Sequence, residues 1–127
     1  MSASPDVLVV EDDQDMALAL LQLLEISGFP ARHAEHGKAA LDAVASQMPA
    51  LVLLDMLMPV MDGWQCAREL RARYGDSLPI VIVTAAEHVQ ERSKEIGANE
   101  VLPKPFELAH LLKIVERYAS ASRRTDH

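Results

Sequence analysis

The chain has 127 residues, of which 50% are hydrophobic and 24% charged, and its formal net charge is −7. We expect a single domain over residues 1–127, with an ordered core at about 5–119 and a polar tail at 120–127, because this length suits one hydrophobic core. The acidic balance argues against direct contact with nucleic acid or with anionic lipid, both of which require a basic surface.

The predicted strands and helices alternate along the chain, which is typical of a parallel sheet with helices on both faces. In chain order, the strands are Val7–Val10, Pro30–Ala34, Leu51–Leu54, Ile80–Thr84 and Glu100–Leu102. The helices are a first one ending before Gly28, a second over Lys38–Gln47, a third from Trp64 to about Gly75, a fourth at about 88–96, and a last over Glu107–Tyr118. We therefore predict a doubly wound α/β fold.

Apolar residues recur at helical spacing in four of these helices, and we expect them to face the core. They are Ala17, Leu20, Leu21 and Leu24 in the first helix, Leu41, Val44 and Ala45 in the second, Ala67, Leu70 and Tyr74 in the third, and Leu108, Leu111, Leu112, Val115 and Ala119 in the last. The helix at 88–96 has only Val89 and Ile96 as sizeable apolar residues, so we expect it to be the least firmly packed.

Cysteine content and the chain start bear on the compartment. Cys66 is the only cysteine, which excludes an internal disulfide and is typical of a reducing environment, and we expect it to be a small buried hydrophobe. The start, MSASPD, has neither a basic nor an apolar region, so no secretory signal is predicted. The apolar runs are shorter than the ~20 residues that a membrane span needs. A cytoplasmic protein without membrane insertion is expected.

Polar residues gather at the carboxyl ends of the predicted strands, where ligands bind in this class of sheet. They are Glu11, Asp12 and Asp13 after the first strand, Asp55 at the third, Thr84 at the fourth and Lys104 after the fifth. Carboxylates held about 5 Å apart repel by roughly 3 kcal/mol per pair at an effective dielectric constant of ~20. A lysine ammonium and a hard divalent cation can offset this repulsion, and all-oxygen ligands suit Mg²⁺. We predict a magnesium site.

A carboxylate fixed at the end of a buried strand beside Mg²⁺ can act as a nucleophile towards phosphorus. Asp55 would form an acyl phosphate, while the metal and Lys104 hold the phosphoryl oxygens and Thr84 donates its hydroxyl. Asp13 is better explained as the N-cap of the first helix than as a metal ligand.

Trp64 and the histidines have simple structural interpretations. Trp64 opens the third helix, and we expect it to be partly buried. The histidines at positions 33, 36, 88, 110 and 127 have no metal-ligand spacing, so we expect surface residues.

Four motifs in this order and spacing are highly specific: "VLVVEDD" at the first strand, "LLDMLMPVMDG" at the third, "IVIVTA" at the fourth and "LPKPF" at the fifth. Over essentially its whole length the chain resembles a response regulator receiver domain of two-component signalling, of the stand-alone single-domain type. The resemblance implies a flavodoxin-like sheet of five parallel strands in the order 2-1-3-4-5.

The resemblance also implies the roles of the site residues. Asp55 would be the phosphoacceptor, Thr84 would follow the phosphoryl group, and Lys104 would bind it ahead of a cis bond to Pro105. The implied metal ligands are Glu11, Asp12, Asp55 and the carbonyl oxygen of Leu57. The donor implied is a phosphohistidine on a histidine kinase or on a histidine phosphotransfer protein.

The expected function is a switch. Phosphorylation of Asp55 would change a surface formed by the helix at 88–96, the fifth strand and the last helix, and a downstream effector protein would read it. We expect a monomer or weak dimer that is not a turnover enzyme and catalyses only its own phosphorylation and dephosphorylation. Val101 replaces the aromatic residue usual in this family. The resemblance implies that Leu57 and Ala86 occupy the positions that tune hydrolysis of the acyl phosphate, and since neither side chain can orient a water by hydrogen bonding, slow self-dephosphorylation is expected.

Three alternative functions are less consistent with the sequence. A flavin-binding module needs a phosphate-cradling loop after the first strand, where the acidic residues 11–13 would repel a phosphate. An aspartate phosphohydrolase would use the Asp13 and Asp15 pair, but Ala17 stands where a Thr or Val is required. A phosphorylation-independent interaction module of the same fold remains as the alternative function.

Overall fold

The computed structural model describes residues 6–55, 63–84, 94 and 96–120. Its strands are β1 (Val7–Val10), β2 (Ala31–Ala34), β3 (Leu51–Asp55), β4 (Ile80–Thr84) and β5 (Glu100–Pro103). Its helices are α1 (Gln14–Ile26), α2 (Gly37–Ser46), α3 (Gly63–Tyr74) and a C-terminal helix (Leu108–Val115) that continues into a π-helical turn (Glu116–Ser120). All but two residues of the helix predicted at 88–96 lie outside the described segments. Among the helices described, none has the length and apolarity needed to cross a membrane.

The five strands are parallel and lie in the order β2-β1-β3-β4-β5, which confirms the predicted topology. Strands β1, β3 and β4 are buried along their whole length because they occupy the middle of the sheet. One face packs against α2 and α3, with Leu54 and Leu70 fully buried there. The other face packs against α1 and the C-terminal helix, around Leu24 and Leu111. The doubly wound α/β arrangement is therefore confirmed.

Two of the predicted core residues point to solvent instead. Leu108 is 57% exposed because it is the first residue of the C-terminal helix, and the buried residues of that helix begin only at Leu111. Ala45 is exposed because the buried face of α2 is centred on Gly37, Ala40, Leu41 and Val44, which places Ala45 at about 90° from the centre of that face. Cys66 is buried, as expected.

The ends of the first two helices are capped by side chains. Asp13 Oδ1 accepts a hydrogen bond from Met16 N at 3.1 Å, which confirms the predicted N-cap of α1. Gly28, with φ of 91°, follows the C-terminus of the same helix. His36 caps α2 through Nδ1, which accepts from Ala39 N at 3.1 Å. The prediction that the histidines are all surface residues is thus wrong for His36, which is half-buried; His110 is exposed.

Arg71 ties the end of α3 to the turn before β5. Its guanidinium donates to the carbonyl oxygen of Gly97 at 2.9 and 3.1 Å, to that of Leu78 at 2.6 Å and to Asn99 Oδ1 at 2.8 Å. Asn99 Oδ1 also accepts from Ile80 N at 2.9 Å. Burial lowers the pKa of Arg71 below its ordinary value, since its neighbours here are mostly neutral carbonyl groups. The start of β4 and the approach to β5 therefore share one anchor.

Arg32 ties β1, β2 and α2 together at the amino ends of the strands. It forms an ion pair with Asp6, a carboxylate that is only 5% exposed. The same guanidinium donates to the carbonyl oxygens of Ala43, at 3.2 Å, and of Gln47, at 2.6 Å. Sequence patterning did not identify this contact.

We predict that Arg32→Met lowers the free energy of unfolding by about 2–3 kcal/mol, because a buried carboxylate loses its cation and two carbonyl groups lose a charged donor. Urea unfolding followed by circular dichroism measures the change. The matched control is Arg73→Met, which removes an exposed pair in which Nη2 lies 3.6 Å from Glu69 Oε2 and which should cost about 0.5 kcal/mol or less. Equal losses in the two variants would contradict the assignment.

Candidate functional site

Neighbouring strands bring the predicted acidic residues together. Val10 of β1 pairs with Leu54 of β3, so the next residues, Glu11 and Asp55, leave adjacent strands at the same level. Oxygen atoms of the Glu11, Asp12 and Asp55 carboxylates all lie within 4.8 Å of one another. Glu11 is 4% and Asp55 7% exposed, whereas Asp12 is open to solvent. The structure thus forms the acidic cluster that the strand ends predicted.

Lys104 extends from the end of β5 into this acidic cluster. Its Nζ lies 3.3 Å from Glu11 Oε1 and 3.9 Å from Asp55 Oδ1. Its backbone N donates to the carbonyl oxygen of Thr84 at 2.9 Å, which fixes the loop against the end of β4. The peptide bond to Pro105 is cis, as the resemblance implied. The ammonium group is therefore held beside two carboxylates that are remote from it in sequence.

Three carboxylates lie beside one ammonium group, and one of them, Glu11, has a raised pKa. The Glu11 pKa is raised from 4.5 to about 7, first by burial of the carboxyl group and then by the hydrogen bond and negative charge of Asp55. The Lys104 charge and the Asp13 backbone N–H, 3.4 Å from Glu11 Oε2, act in the opposite direction. In the cation-free protein the Glu11 carboxyl group therefore keeps its proton to a higher pH than an ordinary glutamate does.

The ligand atoms available at this cluster fit a hard divalent cation. All of them are carboxylate oxygens, from two buried groups and one that faces solvent. The open side suits an ion that keeps part of its water shell, as Mg²⁺ does. The remaining predicted ligand, the carbonyl oxygen of Leu57, lies outside the described residues, as does Ala86. Their roles stay predictions.

Thr84 and Val101 occupy the expected elements. Thr84 is the last residue of β4, is 1% exposed, and stands on the strand next to the one that ends in Asp55. Val101 lies in β5, half-buried against the core formed with α2 and α3. Thr84 thus lies at the same end of the sheet as the acidic cluster. Its role in binding a phosphoryl group stays a prediction.

His33 is a contact of the site that sequence reasoning missed. Its Nε2 lies 2.7 Å from the carbonyl oxygen of Glu11, and its side chain is half-buried, so the surface interpretation is wrong for this residue. The available signal in the sequence was the predicted adjacency of the first two strands. In the structure, β2 pairs His33 with Val9, which brings the His33 ring near the end of β1.

Comparison with known proteins identifies the same family as the sequence motifs do. The family model described as "Response regulator receiver domain" matches residues 7–116. A protein of Mycolicibacterium vanbaalenii named "Response regulator MprA" is 43% identical over 108 residues, which are 84% of this chain and 46% of that protein. The chain thus spans about half the length of the curated relatives it matches.

Two solved structures show the same architecture. Response regulator protein TrrA from Thermotoga maritima, in complex with Mg²⁺ and BeF, has a TM-score of 0.81 and 30% identity, covering 93% of this chain and 99% of that one. Chemotaxis protein CheY4 from Vibrio cholerae has a TM-score of 0.82 and 27% identity, with the same coverage of 93% and 99%.

We predict that Glu11 makes the cation-free protein less stable as pH rises from about 5 to about 8. A carboxyl group whose pKa is about 7 in the folded state and 4.5 ordinarily binds its proton more tightly when folded, so its contribution is complete below the ordinary value and is lost as pH rises through the folded value. The slope is at most about 1.4 kcal/mol per pH unit. Urea unfolding in EDTA at several pH values measures it.

Glu11→Gln should remove this pH dependence. Glu25→Gln, at an exposed position of α1, is the control and should retain it. A wild-type protein whose stability is flat or rises over this pH range would contradict the assignment.

Proposed function

Because the chain belongs to the response regulator receiver domain family, we propose that it is a phosphoryl-accepting switch of two-component signalling with Asp55 as the acceptor. The donor we propose is a phosphohistidine on a histidine kinase or on a histidine phosphotransfer protein. The observation that carries this proposal is the convergence of the Glu11, Asp12 and Asp55 carboxylates within 4.8 Å, beside the Lys104 ammonium group. Such clustering of like charges is typical of functional sites.

In the proposed reaction, an Asp55 carboxylate oxygen attacks the phosphorus atom. An O–P bond forms, the P–N bond of the donor breaks, and its electron pair returns to the ring nitrogen, so a ring protonated on the other nitrogen leaves as neutral imidazole. Asp55 suits this step because it is the last residue of β3, where the strand fixes its backbone at the carboxyl end of the sheet and 7% of it is exposed. The product is an acyl phosphate on Asp55.

Two other side chains would stabilise the transferred group. The Lys104 ammonium, 3.9 Å from Asp55 Oδ1, would bind a phosphoryl oxygen and balance its charge. The Thr84 hydroxyl at the end of β4 would donate a hydrogen bond to another oxygen of the group. Both residues already lie at the carboxyl end of the sheet, where the backbone N of Lys104 donates to the carbonyl oxygen of Thr84.

We further propose that Glu11, Asp12 and Asp55 hold Mg²⁺, together with the carbonyl oxygen of Leu57. When bound, Mg²⁺ supplies the positive charge that lets an anionic phosphoryl group approach an acidic edge. The likeness to the Thermotoga maritima protein, whose complex contains Mg²⁺ and BeF, supports this choice of ion.

The proposed output is a change of surface. The phosphoryl group adds negative charge and acceptor oxygens beside Thr84 and Lys104. Thr84 precedes the segment at 88–96 in the chain, and Lys104 directly follows β5. The surface formed by that segment, β5 and the C-terminal helix would then be read by an effector protein. In this scheme the chain acts only on its own aspartate and is not a turnover enzyme.

We expect incubation with a small phosphodonor such as acetyl phosphate to add one phosphoryl group, only when Mg²⁺ is present. Intact-mass spectrometry measures the adduct. Asp55→Asn should abolish labelling because the nucleophile is lost, whereas Asp42→Asn, at an exposed position of α2, should label normally. Equal labelling of the Asp55→Asn variant, or labelling that is unchanged in EDTA, would overturn the proposal.

We also expect the phosphorylated protein to persist for minutes or longer in Mg²⁺. Leu57 and Ala86, the positions that the resemblance links to hydrolysis, have no side-chain group that can orient an attacking water. Mass spectrometry at intervals after removal of the phosphodonor measures the lifetime. A lifetime of only seconds would contradict this prediction and would leave the phosphoacceptor assignment untouched.

A further inference from the structure

We propose that His33 is a positioning residue for the cation site, because its ring holds the peptide group between Glu11 and Asp12 and thereby sets the direction of the Asp12 carboxylate. This inference deepens the proposed function and rests on it, since it takes Glu11 and Asp12 as metal ligands. The juxtaposition that suggests it is the distance of 2.7 Å between His33 Nε2 and the carbonyl oxygen of Glu11.

The ring takes the place of a backbone donor that the sheet cannot supply. Glu11 N donates to the carbonyl oxygen of Ala34 at 3.1 Å, which continues the parallel ladder one step beyond the last strand pair. In a parallel ladder the Glu11 carbonyl would next accept from the N–H of residue 36. Residue 36 instead begins α2 as its N-cap, because β2 has already ended at Ala34. His33 donates in its stead.

The chemistry of the contact determines which form of the ring takes part. A carbonyl oxygen can only accept, so Nε2 of His33 must be the protonated nitrogen. Ligand-orienting hydrogen bonds of this kind, made by residues that do not touch the metal, typically change metal affinity by 10- to 100-fold when removed. His33 would act at one further remove, through the peptide group rather than through the carboxylate.

Asp12 is the ligand that needs such help. The Glu11 carboxylate is held by Lys104 Nζ at 3.3 Å and by Asp13 N at 3.4 Å. Within residues 6–55 and the other described segments, the Asp12 side chain has no hydrogen bond or ion pair and is exposed. Its direction therefore depends on the backbone, and the peptide group that precedes it is the one that His33 holds.

A merely structural role predicts a different result from a positioning role. Strands β1 and β2 remain paired from Val7–Ala31 to Val10–Ala34 without the ring, so its removal should leave the sheet in place. A positioning residue should instead change cation affinity, and a side chain that restores the donor should restore the affinity.

The test is the Mg²⁺ affinity of the unphosphorylated protein, measured by calorimetric titration, for the wild type, His33→Leu, His33→Asn and His33→Gln. The Gln amide can place an N–H near the position of Nε2, whereas Leu has no donor and Asn is too short. We expect about tenfold weaker binding in the Leu and Asn variants and recovery to within about twofold of the wild type in the Gln variant. His110→Leu, at an exposed position, is the control and should bind as the wild type does.

Two further measurements separate affinity from folding. Urea unfolding in EDTA should give closely similar midpoints for the Leu and Gln variants. The backbone amide ¹⁵N shift of Asp12, which belongs to the same peptide group as the Glu11 carbonyl, should move in the Leu variant and return in the Gln variant. If the Leu variant does not fold, the Asn and Gln variants give the same comparison.

The outcomes distinguish this inference from the proposed function. Wild-type affinity in the Leu and Asn variants, or failure of Gln to restore binding, would overturn the role of His33 while leaving Asp55 and the metal site in place. A wild-type protein that binds no Mg²⁺ and accepts no phosphoryl group would overturn both.

Discussion

Repulsion between carboxylates at one edge of the sheet is the constraint on which the rest of the site depends. Parallel pairing of β1 with β3 places Glu11 and Asp55 side by side, and no local rearrangement separates them without breaking that pairing. Lys104 supplies one positive charge against three negative ones. The Glu11 pKa is raised first by burial and then by Asp55, so a proton retained on Glu11 relieves part of the repulsion.

The three acidic residues at positions 11–13 differ in their contacts and exposure, although they look alike in sequence. Glu11 is buried and bound to Lys104, Asp12 is exposed, and Asp13 caps α1 through its contact with Met16 N. The run therefore joins the site to the helix that follows it. Through His33, the outer strand β2 also contributes to the acidic site at the carboxyl end of the sheet.

Most of the fold and the acidic site followed from the sequence, because both depend on features that patterning reports. Runs of β-branched residues or leucine located most of the strands, and a parallel sheet brings the strand ends together wherever they lie in the chain. The missed features depend on register and rotamer. The Arg32 contact with Asp6 and the His33 contact with Glu11 each cross between strands over more than twenty residues of sequence. The exposure of Leu108 depended on where a helix begins, which periodicity defines poorly.

The two ends of β1 differ in how their buried carboxylates are neutralised. At the amino end, Asp6 is paired with the guanidinium group of Arg32, a cation supplied by the chain itself. At the carboxyl end, Glu11 shares Lys104 with Asp55 and depends on protons or metal ions for the remainder. Any ion that binds the folded chain there and not the unfolded chain shifts the folding equilibrium by mass action. Heat resistance of this domain is therefore a property of the surrounding electrolyte as much as of the polypeptide.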